Sequence, residues 1–131
     1  MNNQDKIDYI SNWITNYVSN MPNPAESLIV GVSGGVDSAL TSTLSCLTGI
    51  KTIAVSMPIT TTSNNTALSD VHGMWLKNKY KNANYITIDL TSTYNQFNSV
   101  LVNSNQNSDL GFANSKSRLR MVTLYQIAAA Q

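Results

Sequence analysis

The stretch Gly31-Val32-Ser33-Gly34-Gly35-Val36-Asp37-Ser38 concentrates more chemistry than any other part of this 131-residue sequence. Gly34 and Gly35 carry no Cβ, so a ligand can come close to the backbone and φ can turn positive. Ser33 and Ser38 add hydroxyl donors. The residues that follow read as a helix, whose first amides and dipole form an anion site. Asp37 would repel a phosphate unless a cation bridged the two. Magnesium, held by one or two carboxylates plus phosphate oxygens, fits that arrangement and makes Asp37 a metal-ligand candidate. No lysine lies in the loop, so it is not GxxxxGK(S/T), and its glycine spacing is not GxGxxG. Two glycines could also make only a tight turn; the flanking serines and the enclosed acid favour a ligand.

A second cluster is cationic. Lys116, Arg118 and Arg120 supply three of the eight basic residues. Lys116 and Arg120 share a helix face, and Arg118 points elsewhere. Read as the start of the last helix, these cations oppose its dipole, which favours an anionic ligand or a partner carboxylate. The other chemical residue types carry less. Lys77, Lys79 and Lys81 spread over different helix faces as a solvated surface. His72 stands alone and reads as structural or exposed rather than as a ligand. Cys46, between Leu44 and Leu47, reads as a small buried apolar residue. Trp13 and Trp75 read as packing residues, with an intermolecular contact the second option for Trp13.

The elements that position these groups alternate. Ile7, Ile10, Ile14, Tyr17 and Val18 mark one face of a helix over about residues 4–20, stopped by Pro22 and Pro24. The continuous apolar run 28–32 suits a strand buried on both faces of a parallel sheet. Leu40, Leu44 and Leu47 mark a helix closed by Gly49. A strand over 52–56 follows, closed by Pro58. Residues 60–65 read as irregular, with Ser63 or Asn64 capping a helix that carries Leu68, Val71, Trp75 and Leu76. A third strand spans 85–89, and Thr91 is expected to cap a helix bearing Tyr94, Phe97, Val100 and Leu101. After a polar loop over 103–109, a final helix carries Leu119, Val122, Leu124 and Ile127. The fold class is therefore α/β, a parallel sheet flanked by helices on both faces. Ala128, Ala129 and Ala130 favour helix without a stop signal, so the fold reads as incomplete at its C-terminus.

Composition excludes several classes. A net charge of +1 supports no sequence-independent grip on nucleic acid. No apolar run approaches the roughly 20 residues of a membrane-spanning helix. The polar N-terminus shows no export signal, so the expected location is the cytoplasm. One cysteine excludes an internal disulfide and a cysteine-based zinc site.

Ser33-Gly34-Gly35-Val36-Asp37-Ser38 resembles the pyrophosphate-binding loop of the PP-loop ATP pyrophosphatases, with their adenine-nucleotide α-hydrolase-like fold. That superfamily includes GMP synthetases, asparagine synthetases and tRNA-modifying enzymes. The segment Ala113-Asn114-Ser115-Lys116-Ser117-Arg118-Leu119-Arg120-Met121, with Leu124 and Tyr125, is similar to the N-x-x-(A/S)-R-x-R-M stretch of ammonia-dependent NAD synthetases. The order of elements fits as well, so residues 1–131 resemble the N-terminal part of that family's nucleotide-binding domain.

The resemblance implies a ligase. The carboxylate of deamido-NAD attacks the α-phosphate of ATP, pyrophosphate leaves, and ammonia converts the acyl-adenylate to NAD. It maps Gly31, Val32, Ser33, Gly34, Gly35, Val36, Asp37 and Ser38 onto the ATP loop. Asp37 maps onto the magnesium ligand, and Arg118 and Arg120 onto the deamido-NAD site. It also implies a homodimer. Where some relatives carry an arginine before the proline after strand two, this chain has Ser56-Met57-Pro58. Two other readings stand beside it: a GMP synthetase-like ATP pyrophosphatase, and a non-catalytic nucleotide-binding or dimerisation module.

Overall fold

The computed structural model describes residues 1–59 and 64–131, with side chains for all of these except 64–67. The elements run α1 (Asn3–Ser19), β1 (Ser27–Gly31), α2 (Val36–Leu47), β2 (Lys51–Ser56), α3 (Asn64–Lys79), β3 (Ala83–Thr87), α4 (Thr91–Asn103) and α5 (Asp109–Ala129). The three strands form one parallel sheet in the order β1-β2-β3. Leu28 faces Thr52 across the first pair, and Thr52 faces Ala83 across the second.

The central strand decides what packs where. Its side chains alternate between the faces. Ile53 and Val55, with Met57 beyond the strand, join Ile59, Leu90 and Tyr94 in an apolar core covered by Phe112, Leu119, Leu124 and Ile127 of α5. Ala54 points the other way, into a core with Val32, Cys46 of α2 and Leu76 of α3. Leu76 and Val55 are fully buried, each worth about 1.5–3 kcal/mol relative to exposure. The α2–α3 side also buries small polar residues, Ser42, Thr52, Ser56 and Ser69. Helices thus cover both sheet faces, as the α/β reading expected.

Strand and helix identities match the sequence reading; several details differ. β3 lies two residues earlier than expected. Of the expected irregular stretch 60–65, residues 60–63, including the candidate cap Ser63, lie outside the described residues, and α3 begins at Asn64. Thr91 is not a cap but the first residue of α4; the Asp89 side chain accepts its amide at 2.9 Å. That bond holds the Asp89 carboxyl below the ordinary carboxylate range. Gly49 closes α2 with φ at +79°. In α3, Gly73 lies under the ring of Tyr85, where a Cβ would come within 2.3 Å of the ring. That close approach sets how tightly α3 sits on β3.

The tryptophans correct the packing expectation. Trp13 is 56 % exposed and stacks on Tyr17 along the outer side of α1. Trp75 is also exposed, stacking on His72 with Lys79 over its ring. Leu40, Val71, Val100 and Val122, among the apolar residues that marked the helices, are exposed as well. No helix among the described residues is long and apolar enough to cross a membrane.

Candidate functional site

Parallel strands deliver their C-terminal ends to one edge, and ligands of open α/β sheets bind there. β1 ends at Gly31 and enters the glycine loop. β2 ends at Ser56 and continues through Met57, Pro58 and Ile59. Between them opens a cleft of about 540 Å³ lined by Gly31, Val32, Ser33, Ser38, Ser56, Met57, Pro58, Ile59, Ser69, Ser117, Arg120, Met121 and Leu124. Gly31 keeps the cleft passable: a Cβ there would lie 3.2 Å from Met57 Cε and 3.4 Å from Leu124 Cδ1.

The loop is held by its own hydroxyls. Ser38 Oγ accepts from the Ser33 amide at 3.1 Å and donates to the Gly35 carbonyl at 3.2 Å. Ser33 Oγ accepts from the Gly35 amide at 3.2 Å, and the two hydroxyls are 3.2 Å apart. Only one direction satisfies all these bonds: Ser33 Oγ donates to Ser38 Oγ. Gly34 takes φ of +90°, a conformation that favours glycine, whereas Gly35 is extended at φ −83°, ψ 162°. Positive φ is therefore needed at Gly34 alone. Gly35 is the N-cap of α2 and offers no side chain to the helix's first amides. The N-terminal end of α2 is left able to receive an anion.

Arg120 enters the cleft from α5. Its Nε donates to the Met57 carbonyl at 2.9 Å. Burial pulls the guanidinium down from the ordinary arginine range, although arginine stays cationic at any working pH. No carboxylate is among the residues lining the cleft, so Arg120 sets its charge.

The candidate residues separate. Gly31, Val32, Ser33, Ser38 and Arg120 share the cleft; Gly34, Gly35, Val36 and Asp37 lie in the adjoining turn and first turn of α2, off its lining. Asp37 is exposed. Arg118 is exposed on α5 and does not line the cleft. Lys116 lies over the Tyr94 ring at 5.3 Å. α5 begins at Asp109, so these three cations sit well inside the helix, not in its first turn, and the expected opposition to its dipole does not arise. Ser56, Met57, Ser69, Ser117 and Met121 also line the cleft, although none of them was named as a binding residue. Ser56 and Ser69, buried and 3.1 Å apart, give it a polar floor. Only the packing of α3 on β2 brings them together; spacing alone carries no such signal.

Comparison with known proteins gives a consistent result. A family described as NAD synthase matches residues 6–131. The NH(3)-dependent NAD(+) synthetase of Carboxydothermus hydrogenoformans is 32% identical over 98% of this chain and 51% of its own length. That of Mycoplasmopsis pulmonis is 34% identical over 95% of this chain and 46% of its own. The chain spans about half the length of the curated relatives it matches. Among solved structures, an NH3-dependent NAD synthetase from Campylobacter jejuni superposes with a TM-score of 0.83 at 25% identity, over 99% of this chain and 53% of that one. An NMN synthetase from Francisella tularensis superposes with a TM-score of 0.81 at 26% identity, over 99% of this chain and 51% of that one.

Proposed function

The chain belongs to the NAD synthase family, and from that premise we propose that it forms the ATP-binding part of a ligase that adenylates deamido-NAD and amidates it with ammonia. Residues 1–131 are then the N-terminal part of a longer nucleotide-binding domain, working in the cytoplasm as a homodimer. The observation that carries this reading is the uncapped N-terminus of α2 beside Arg120, the one cation among the described residues that line the cleft.

On this reading, the backbone amides of the glycine loop and of α2's first turn receive the departing pyrophosphate. Oriented amides stabilise developing charge without having to reorganise during reaction. Ser33 and Ser38 fix the loop so that those amides converge. Arg120, already aimed by its bond to the Met57 carbonyl, presents its remaining donors to a phosphate. Arg118, outside the cleft lining, is left for the second substrate. Met57, Ile59, Met121 and Leu124 give the cleft an apolar wall, which helps to exclude water from a reactive acyl-adenylate.

Among the described residues no three His, Cys, Asp or Glu side chains gather to hold a metal. Asp37 is one exposed carboxylate next to the anion site, which fits magnesium only when phosphate oxygens complete the shell. Such an ion, when bound, would neutralise phosphate charge. The chain should accordingly bind magnesium with ATP and not magnesium alone.

Calorimetric titration with magnesium and ATP, followed by deamido-NAD, tests the reading. Saturable ATP binding that strengthens deamido-NAD binding is expected. A crystal with ATP whose phosphates lie away from residues 33–38 would overturn it. The likeness to an NMN synthetase favours a second reading, in which the carboxylate that is adenylated belongs to the deamidated mononucleotide. Competition between the mononucleotide and deamido-NAD separates the two. The GMP synthetase-like alternative is disfavoured by the Arg118-Leu119-Arg120-Met121 segment and the family match.

A further inference from the structure

The hydroxyl network of the glycine loop does not stop at Ser38. The Ser38 carbonyl accepts from Ser42 Oγ at 2.8 Å, and the Ala39 carbonyl lies 3.0 Å from the same hydroxyl. Ser42 is fully buried. Its single hydrogen is directed at these carbonyls, so its lone pairs must accept from elsewhere. His72 Nε2, on α3, lies 2.8 Å from Ser42 Oγ. When the hydroxyl hydrogen stays on these carbonyls, the tautomer that completes the contact carries its proton on Nε2 and donates it to Ser42 Oγ, with the Ala39 carbonyl a second acceptor for the ring. The imidazole stacks on Trp75 with ring centroids 5.6 Å apart and planes 26° from parallel, which limits its rotation. A continuous path therefore runs from α3 through His72, Ser42 and Ser38 to the hydroxyl clasp of the loop.

We propose that His72 is a positioning residue for the nucleotide site: by donating to Ser42 it fixes the first turn of α2, and through Ser38 the loop that receives the phosphates. The proposal rests on the nucleotide-binding reading above. Apolar burial anchors the loop at one end only: Val32 is buried, whereas Val36, the first residue of α2, is 79 % exposed. The helix behind it is also rich in competing hydroxyls. Thr41, Ser42, Thr43 and Ser45 all return hydrogen bonds to carbonyls of the preceding turn, a pattern that weakens and bends helices. A proton donated into Ser42 Oγ polarises that hydroxyl and strengthens its bond to the Ser38 carbonyl.

The test uses the full chain and two variants. His72→Phe keeps a ring against Trp75 and deletes the donor. His72→Gln supplies an amide N–H within reach of Ser42. NMR measures solvent exchange at the Ser33 and Gly35 amides, with the Ile53 and Val55 amides of β2 as the fold control. Calorimetry measures affinity for magnesium–ATP. His72→Phe should speed loop exchange and weaken ATP binding by about three- to tenfold, the size of one hydrogen bond, while His72→Gln stays within about twofold of the parent. Unchanged loop exchange and ATP affinity in His72→Phe would overturn the proposal. So would a His72→Gln variant as impaired as His72→Phe, since shape rather than the donor would then matter. If the parent chain binds no ATP but the loop still loosens in His72→Phe and recovers in His72→Gln, the nucleotide reading falls and the positioning role stands. If β2 loosens together with the loop, Ser42→Ala decides: selective loosening of the loop supports the path, and none overturns it.

Discussion

The N-termini of α1 and α2 solve the same problem in opposite ways. In α1, Asn2 accepts the Asp5 amide at 2.8 Å and Asp5 returns the favour to the Asn2 amide at 3.0 Å. This capping box satisfies two donors within the helix itself. α2 also has an acid in its first turn, Asp37, but its cap is Gly35, which has no side chain to offer. α5 sides with α1, its Ser108 hydroxyl accepting from the Gly111 amide at 3.0 Å. A helix end closed by its own residues serves stability. One left open, at the C-terminal edge of a sheet and beside the half-buried Arg120, is on our proposal the end that serves a ligand.

The two acids provide the largest contrast. Asp37→Ala in the intact enzyme should lower pyrophosphate release from ATP and deamido-NAD by at least about a hundredfold, as expected for lost stabilisation of developing charge, while the melting temperature holds. Asp5→Ala should do the reverse, lowering stability and leaving turnover alone. Pyrophosphate release that survives Asp37→Ala, measured with a coupled phosphate assay, would remove the functional half of the contrast.

Closing the open end is the next test. Gly35 has extended backbone, and a Cβ there would meet only Ser33 Oγ, at an ordinary 3.4 Å. Gly35→Asp is therefore sterically allowed and should cap α2 as Asn2 caps α1. Replacing glycine at an N-cap gains only a few tenths of a kcal/mol. The added carboxylate, however, occupies the anion site and should weaken ATP binding by about tenfold or more, the effect of a like charge at close range. A Gly35→Asp chain that binds ATP like the parent would show that these amides do not hold phosphate.

The arginines sharpen the comparison on the other side of the cleft. Arg120→Gln should weaken ATP binding by about tenfold, one charge-assisted hydrogen bond. Arg118→Ala should instead raise the KM for deamido-NAD with little change for ATP. Steady-state kinetics in both substrates separates the two. An effect of Arg118→Ala confined to ATP would reassign that residue.

The sequence made the fold legible where periodicity is strong. Residues 28–32 and 52–56 read as strands because short aliphatic runs suit one, although β1, expected to be buried on both faces, is half-buried throughout and β2 is the buried strand. The glycine loop was legible because its residue types have few joint uses. What lay beyond reach depends on contacts between distant segments. Helical spacing already set Arg120 apart from Arg118, but that Arg120 reaches the Met57 carbonyl depends on how α5 packs. Thr91 gave way to Asp89 as the side chain that serves this helix end because a short carboxylate two residues upstream reaches the Thr91 amide itself. His72 looked isolated in sequence because its partner, Ser42, lies thirty residues away. Gly73 carried no signal at all until Tyr85 was found lying across it.

The smallest effect tests the closed end. Asn2→Ala removes both the acceptor for the Asp5 amide and the partner geometry of the box, and caps of this kind are worth about 1 kcal/mol. α1 packs on α2, with Trp13 and Tyr17 exposed on its outer side. Loss of the cap should therefore appear as fraying of α1, seen as faster amide exchange over its first turn and a melting temperature lowered by a few degrees. ATP affinity should not change, because no residue of α1 lines the cleft. Should Asn2→Ala weaken ATP binding as strongly as Gly35→Asp, the α1–α2 contact would have to transmit order to the loop, and the division between a helix end built for stability and one built for a ligand would fail.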